Sequence, residues 1–346
     1  MEYIDLRSDT VTKPTPEMWA AMSKAEVGDD VYKEDPTVNR LQEISAERMG
    51  KEAGLFIPSG TMGNLVAVLA HCGRGDEVIM GHLAHTFLFE GGGIAALGGV
   101  HPHTIPNNPD GTLALEDIRG AVRNPNDPHF PVTRLIILEN THNRCGGVAV
   151  PAEYTREVGA LAKEVDLKLH LDGARIFNAA VALGVPASEL AAPADSVTFC
   201  LSKGLCAPVG SVLCGSADFI ARAVRIRKQL GGGMRQAGVL AAAGIVALEQ
   251  MTGRLVEDHT RAARLAEGLA SIAGIMVEQK QRATNMVFIQ LSDEIPLDTR
   301  EIVLRLKELG VLVGAVGSRR FRLVTHYWVN DKAVERAVKA FARIAG

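Results

Sequence analysis

The sequence lacks paired cysteines. Its five, Cys72, Cys145, Cys200, Cys206 and Cys214, are scattered, with no CxxC and no metal-ligand spacing. That argues against a disulfide framework and fits reduced, buried thiols in a cytoplasmic protein. An excess of either charge is also missing: 37 Lys and Arg against 40 Asp and Glu leave a formal net charge of −3 over 346 residues. Neither nucleic acid nor an anionic membrane is therefore an expected partner. The best candidate for a long apolar run, Val239–Leu248, is closed by Glu249 and Gln250 and falls well short of the ~20 residues of a membrane span. The N-terminal stretch MEYIDLRSDTVTKPTPEM has neither the apolar core nor the cleavage site of a signal peptide. There is no HExxH, no His/Cys cluster, no GK[ST] loop and no GxGxxG, so no catalytic metal is expected, and no Walker loop or dinucleotide fingerprint.

What is present is an alternation. After a polar, proline-marked arm (1–16), six short β-rich runs recur: LFIP, EVIM, TRLIILEN, KLHLDG, DSVTFCL and SVLCG. Helical patterns such as GNLVAVLAHC and TREVGALAKEV separate most of them. Runs that are apolar throughout belong in a sheet covered on both faces, so an α/β fold with a mostly parallel sheet is expected. Asp35–Pro36 supplies an N-cap and a first-turn proline for an apolar stripe at Val38, Leu41 and Ile44, and Gly50 is placed to stop that helix. Near Met251 the rhythm changes to a long amphipathic pattern (Arg254–Ile272), short strands NMVFIQL, VLVGAVG and RFRLVTH, and helices at Arg300–Leu309 and Asp331–Ala345. This predicts a large domain over 17–250 and a smaller C-terminal α+β domain over 251–346.

Three constellations carry chemistry. PSGTMGN (Pro58–Asn64) joins a strand to a helix start, where free N–H groups and the helix dipole favour an anion; as a bare pattern it also describes an ordinary helix cap. LHLDGAR (Leu169–Arg175) puts Asp172 at the end of a buried strand, either capping the next helix or facing a ligand at the sheet's carboxyl edge. Arg175 follows with a fork suited to a carboxylate. SVTFCLSKGLCAPVGS (Ser196–Ser211) sets Lys203 between two apolar runs, where an ammonium is costly unless it has chemical work. A lysine that forms imines needs surroundings that release some neutral amine. Together these are the parts of a pyridoxal phosphate site: an amine for the aldehyde, an acid for the pyridine nitrogen, and a helix start for the phosphate. His85, after the strand EVIM, is the candidate partner for the ring's face. His129, in NPNDPHFP, is a candidate from a loop, whereas His82, His101 and His103 read as structural or solvated. RIRKQLGGGMRQAG (Arg225–Gly238) presents Lys228 and Arg235 around a glycine triplet, suited to an anion across a subunit interface.

The sequence resembles the low-specificity L-threonine aldolases, fold-type I pyridoxal phosphate enzymes of the β-eliminating lyase/threonine aldolase family. DLRSDTVTKPTPEM, GDDVYKEDP, SGTMGN, ENTHN, HLDGARIFNA, CLSKGLCAPVGS, GGGMRQAG and RLVTH carry the likeness. Where members often have VYGDDP this chain has VYKEDP, with the tyrosine kept. The resemblance implies a seven-stranded, mostly parallel sheet between helices, with a smaller C-terminal domain. It implies pyridoxal 5'-phosphate on Lys203, with Asp172 at the ring nitrogen, His85 on its face and Tyr32 nearby. Gly60 and Thr61, with Ser202 possible, would hold the phosphate, and Arg235 of a neighbouring subunit would reach it. Ser8, Arg175 and Arg322 would take the substrate carboxylate, and His129 and Lys228 would line the hydroxyl side. The implied reaction is retro-aldol cleavage of L-threonine or L-allo-threonine to glycine and acetaldehyde, in a homotetramer with sites at dimer interfaces. The base that takes the hydroxyl proton stays open between His85, His129 and water. Transamination, β-elimination or racemisation, and a non-enzymatic binding role, remain as rival readings.

Overall fold

In the computed structural model, which describes residues 3–278, 281 and 283–345, the polar start of the chain is tied to its far end. The first strand, β1 (Ile4–Asp5), pairs in parallel with a strand that begins at Val311. Met1 and Glu2 of the expected arm, and Gly346 of the expected C-terminal domain, lie outside the described residues. Two helices follow, α1 (Pro16–Ser23) and α2 (Pro36–Met49). Asp35 caps α2 by accepting from the amides of Thr37 and Val38, and Gly50 ends it at φ +62°, the left-handed geometry that glycine adopts without strain.

The central sheet has seven strands: β2 (Ala53–Ile57), β3 (Asp76–Gly81), β4 (His101–Ile105), β5 (Val132–Glu139), β6 (Lys168–Asp172), β7 (Ser196–Cys200) and β8 (Ser211–Gly215). Their order is β2-β8-β7-β6-β5-β3-β4. The five strands from β7 to β4 run parallel, while β8 is antiparallel to both of its neighbours. Six of the seven are the β-rich runs of the sequence. The seventh, β4, reads HPHTI and carries no apolar run, because it is an edge strand with only Ile105 buried; an edge also tolerates Pro102, which cannot donate to a ladder.

Side chains alternate across each strand, and on β6 and β7 the alternation separates two chemistries. Leu169, Leu171, Val197 and Phe199 face the main apolar cluster with Leu41, Val158 and Phe177. On the other face, where α3 (Gly60–His71) packs, the same strands carry His170, Asp172, Ser196 and Thr198, all buried. Apolar clusters flank this polar stripe, one containing Val78, Met80, Leu135 and Ile137, the other Leu55, Ile57 and Leu213.

Beyond 250, the helix Leu255–Ala270 leads to an antiparallel sheet of β9 (Ile275–Val277), β10 (Met286–Leu291), β12 (Gly314–Gly317) and β13 (Arg320–Val324), with β11 (Val311–Leu312) paired to β1. The run VLVGAVG thus supplies two strands. The helices Thr299–Glu308 and Asp331–Ala345 cover this sheet, and Leu265, Ile289, Phe321 and Phe341 share a second apolar cluster with Ile4 and Leu6 of the arm. Among the described residues no single helix is long and apolar enough to cross a membrane.

Candidate active site

The carboxyl ends of β5, β6 and β7 meet the start of α3. Ser59 accepts from the amide of Met62 as N-cap, while Gly60 and Gly63 let the helix seat on the strand ends. A Cβ at Gly60 would come within 2.8 Å of Cys200 Sγ, and one at Gly63 within 2.6 Å of Thr198 Cγ2. Thr61 is exposed at this helix start. The result is a small-residue cradle under unpaired helical N–H groups, the geometry that accepts a phosphate.

Asp172 ends β6 and is 2% exposed. Its Oδ2 accepts from Asn64 Nδ2 at 2.8 Å, and its Oδ1 from the amide of Ala174 at 3.1 Å. The helix that follows begins only at Ile176 and takes no side-chain cap, so Asp172 is a strand-end carboxylate that orders the turn after it. The second Asn64 Nδ2 proton goes to Glu90 Oε1 at 2.8 Å, which also lies 2.9 Å from His85 Nδ1. His85, Glu90 and Asp172 thus hold polar atoms within 4.8 Å of one another. The His85 amide donates to Glu139 Oε2 at 2.7 Å. Burial opposes a charge on His85, but the bond to Glu90 and the nearby charges of Asp172, Glu90 and Glu139 outweigh it and raise its pKa. Burial raises that of Glu90 in turn.

Lys203 lies three residues beyond β7 and is half-buried. Its carbonyl is fixed by Thr12 Oγ1 at 2.8 Å and by the amide of Cys206 at 2.9 Å. Its Nζ makes no hydrogen bond or ion pair among the described residues. Ser202 beside it is half-buried. Asp9 is fully buried and grips Arg175: Oδ2 accepts from Nε at 2.7 Å and Oδ1 from Nη2. Burial of Asp9 disfavours its charge, yet Arg175, with Lys203 and His326 nearby, holds the carboxyl well below the usual range. Arg175 is thereby a buried cation already clamped on two nitrogens, a constraint that the sequence did not reveal.

Arg322, on β13, faces the same region. Its Nη1 donates to Asn143 Oδ1 at 2.6 Å and its Nη2 to the carbonyl of Arg7 at 3.2 Å, next to Ser8. Burial, followed by the charge of Arg175, lowers its pKa. Asn143 donates its amide to Glu139 Oε1 at 2.9 Å, so one carboxylate orders both His85 and the support of Arg322. A pocket of about 400 Å³ opens here, lined by His85, Phe89, Asn143, Arg144, Phe288 and Arg322 among others.

Of the predicted site residues, His85 and Arg322 line this pocket; Lys203, Asp172, Gly60, Thr61, Ser202, Ser8 and Arg175 do not, and Tyr32, His129, Lys228 and Arg235 lie elsewhere. Tyr32 is 72% exposed. The His129 side chain is 86% exposed, with Nδ1 2.8 Å from Asp127. Arg235 pairs with Asp29 at 2.9 Å, and Lys228 lines a separate groove of about 690 Å³ with Asp30, Val31 and Arg227. Residues that the sequence reading passed over, Asp9, Asn64, Glu90, Glu139 and Asn143, form the supports of the pocket. Four of them lie within the RSDT, SGTMGN and ENTHN motifs and Glu90 just after His85, but a motif does not say which side chains touch.

The residues present suit pyridoxal phosphate: a phosphate cradle, a buried strand-end carboxylate with lone pairs to spare, and an amine without a partner. Thr198 Oγ1 and Glu90 Oε2 are also buried without hydrogen-bond partners among the described residues, so the site retains polar atoms a ligand can satisfy.

Comparison with known proteins agrees with this geometry. The chain is 51% identical over 343 residues to a probable low-specificity L-threonine aldolase 2 of Arabidopsis thaliana, covering 99% of this chain and 97% of that protein. It is 50% identical over 323 residues to a low specificity L-threonine aldolase of Escherichia coli, covering 93% of each. Among solved structures, a threonine aldolase of Leishmania major superposes with a TM-score of 0.84 at 22% identity over 99% of both chains. A serine palmitoyltransferase of Sphingomonas wittichii does so with a TM-score of 0.76 at 17% identity, covering 99% of this chain and 87% of that one. These two likenesses bear on the fold, which is that of fold-type I enzymes. Residues 5–292 match the beta-eliminating lyase family model, and with relatives at half identity over nearly the full length, the chain belongs to that family.

Proposed function

We propose that this protein cleaves the Cα–Cβ bond of L-threonine, L-allo-threonine and related β-hydroxy-α-amino acids, giving glycine and an aldehyde, with pyridoxal 5'-phosphate as cofactor. The observation that carries the reading is that the chain is half identical, over nearly its full length, to relatives named L-threonine aldolases. Asp172 at the end of β6, Lys203 beyond the end of β7, and the pocket lined by His85 and Arg322 support it.

Bound pyridoxal phosphate supplies an electron-accepting ring conjugated to the substrate's Cα. The start of α3, with Gly60, Thr61 and Ser202, holds the phosphate. Lys203, whose amine has no partner among the described residues, would be the residue that anchors the cofactor's aldehyde. Asp172 would pair with the ring nitrogen and favour its protonated form, and His85 would be the partner for the ring's face. Arg322 takes the substrate carboxylate, with Ser8 beside it. Arg175, through Asp9, stiffens the floor of that clamp and adds positive charge. Fixing the carboxylate sets rotation about Cα, which decides the bond that breaks. The β-hydroxyl proton goes to His85, to His129 of a neighbouring copy, or to a water between them. Glu90 favours His85, since a carboxylate on Nδ1 makes the ring a stronger base than a free imidazole.

Tyr32, His129, Lys228 and Arg235 complete the site from a second copy in a tetramer; their exposure, with that of Phe87, Leu88 and Phe89 beside His85, supports this. The five cysteines, all buried and without a CxxC spacing, support a cytoplasmic location. The separate apolar clusters support a division into an arm (1–16), a cofactor-binding domain (17–250) and a smaller domain (251–346).

The test is aldehyde release. Acetaldehyde and glycine should form from threonine and allo-threonine without added keto acid, and production of ammonia with a keto acid would overturn the reading. The two substrates assayed side by side give the preference at Cβ. Near-normal turnover in His85→Asn would remove His85 as the sole base.

A further inference from the structure

The polar stripe under Asp172 continues away from the site. Asn64 and His71 are seven residues apart on α3, two turns, and so share a face. His170 and Asp172 alternate on β6, and Ser196 is in register with His170 on β7. His170 Nε2 lies 3.3 Å from Asn64 Oδ1, His170 Nδ1 lies 2.8 Å from Ser196 Oγ, and the same hydroxyl lies 2.8 Å from His71 Nε2. Asn64, His170 and Ser196 are each at most 2% exposed.

The two carboxylates on Asn64 favour one direction along this row, against the Ser196 backbone, which also bonds the His170 ring. Both protons of Asn64 Nδ2 go to carboxylates, and turning the amide over would aim its oxygen at two anions. Asn64 Oδ1 therefore accepts, which makes His170 Nε2 a donor. Neutral His170 then accepts at Nδ1, so the Ser196 hydroxyl proton points to it. With that proton committed, Ser196 Oγ accepts from His71 Nε2–H. Burial keeps His170 neutral, pushing its pKa down to about 3. Burial does the same to His71, which lines a shallow groove of about 330 Å³ with Lys51, Lys168 and Arg222.

We propose that His71, Ser196 and His170 are positioning residues: a one-way hydrogen-bond chain that acts through Asn64 to hold the Asp172 carboxylate ionised and aimed at the cofactor's ring nitrogen. The proposal rests on the role given to Asp172 above. Aligned donors polarise one another and stabilise the anion at the end of the row. A stabilised carboxylate is the weaker proton acceptor, so the shared proton stays on the ring nitrogen, where it makes the ring the better electron acceptor. Stability alone would be served as well by apolar side chains at buried positions 170 and 196, which an unneeded polar pair only burdens.

The experiment compares the wild-type holoenzyme with His170→Leu, His170→Gln and Ser196→Ala, each loaded with pyridoxal phosphate carrying ¹⁵N in its ring. In His170→Leu the ring resonance should move from the pyridinium position toward neutral pyridine, and kcat should fall about tenfold with KM within about twofold. His170→Gln, whose amide can place an N–H where Nε2 was, should restore both. Ser196→Ala should give a smaller shift in the same direction and keeps the test open if His170→Leu fails to fold. In the apoprotein, imidazole ¹⁵N spectra should show both His170 and His71 protonated at Nε2. An Nδ1–H tautomer at His170, or a ring resonance unchanged in Ser196→Ala and any folded His170 variant, overturns the chain while leaving the aldolase reading intact. A wild type that fails to take up the cofactor overturns the reading of Asp172 instead.

Discussion

The two faces of β6 and β7 carry opposite chemistries on the same ten residues. One face, Leu169, Leu171, Val197 and Phe199, packs into the main core, with Phe199 edge-on to Phe177 at 5.3 Å between centroids. The other face holds His170, Asp172, Ser196 and Thr198 against α3. Both are buried, so burial alone does not tell a structural residue from a functional one. The difference lies in what each face asks of its cover. The apolar face needs shape, whereas the polar face needs donors matched to acceptors; α3 supplies that match for Asp172, His170 and Ser196 through Asn64 and His71, and leaves Thr198 Oγ1 open.

The comparison breaks most sharply at Lys203, which stands just past the end of β7. Lys203→Ala should lower kcat by at least about 10⁴-fold and abolish the cofactor's visible absorbance in the holoenzyme, with little change in melting temperature. Neighbours on β6 should separate the two faces. Asp172→Ala should lower kcat by about 10³-fold while the protein still melts cooperatively. Leu171→Ala should cost ~3 kcal/mol of stability in denaturant titration and leave turnover per folded molecule near normal. Outside the sheet, Arg322→Ala removes a charged partner of the substrate carboxylate, so KM for threonine should rise about 30-fold, more than kcat falls.

The last effect is in pH, and it builds up over several units. Unfolded, His71 and His170 each take up a proton as pH falls through 6.5; folded, each stays neutral to about 3. The unfolded chain therefore binds more protons across that interval, and stability falls as pH drops, by up to ~1.4 kcal/mol per pH unit for each group. Burial also pushes His259 down to about 4, so His170→Gln removes one of three such groups and the slope of melting temperature against pH should shrink by about a third between pH 4 and 6.5. An unchanged slope would mean that the polar face is already charged.

Much of this was legible in the sequence. The strand end at Asp172, the α2 caps at Asp35 and Gly50, and the turn from strand to helix at Pro58–Asn64 all follow from local rules that act over a few residues. Strand β4 was missed because an edge strand need not be apolar. The supports were missed for another reason. Asp9 and Arg175, or Asn143 and Arg322, meet only when distant segments fold together, and no spacing announces such a pair. The same limit hid the polar stripe, since His170 and Ser196 look like exceptions in apolar runs until β6 and β7 lie side by side.

The pairing of β1 with β11 sets an order of assembly. The amide of Ile4 bonds the carbonyl of Gly310, and the amide of Val324 bonds the carbonyl of Leu6. Arg322 therefore meets Arg7 and Ser8 only after most of the chain has been synthesised. A nascent chain that has completed the seven-stranded sheet already carries the start of α3 and Lys203, while Arg322 and the strand that holds it against Arg7 are still to come.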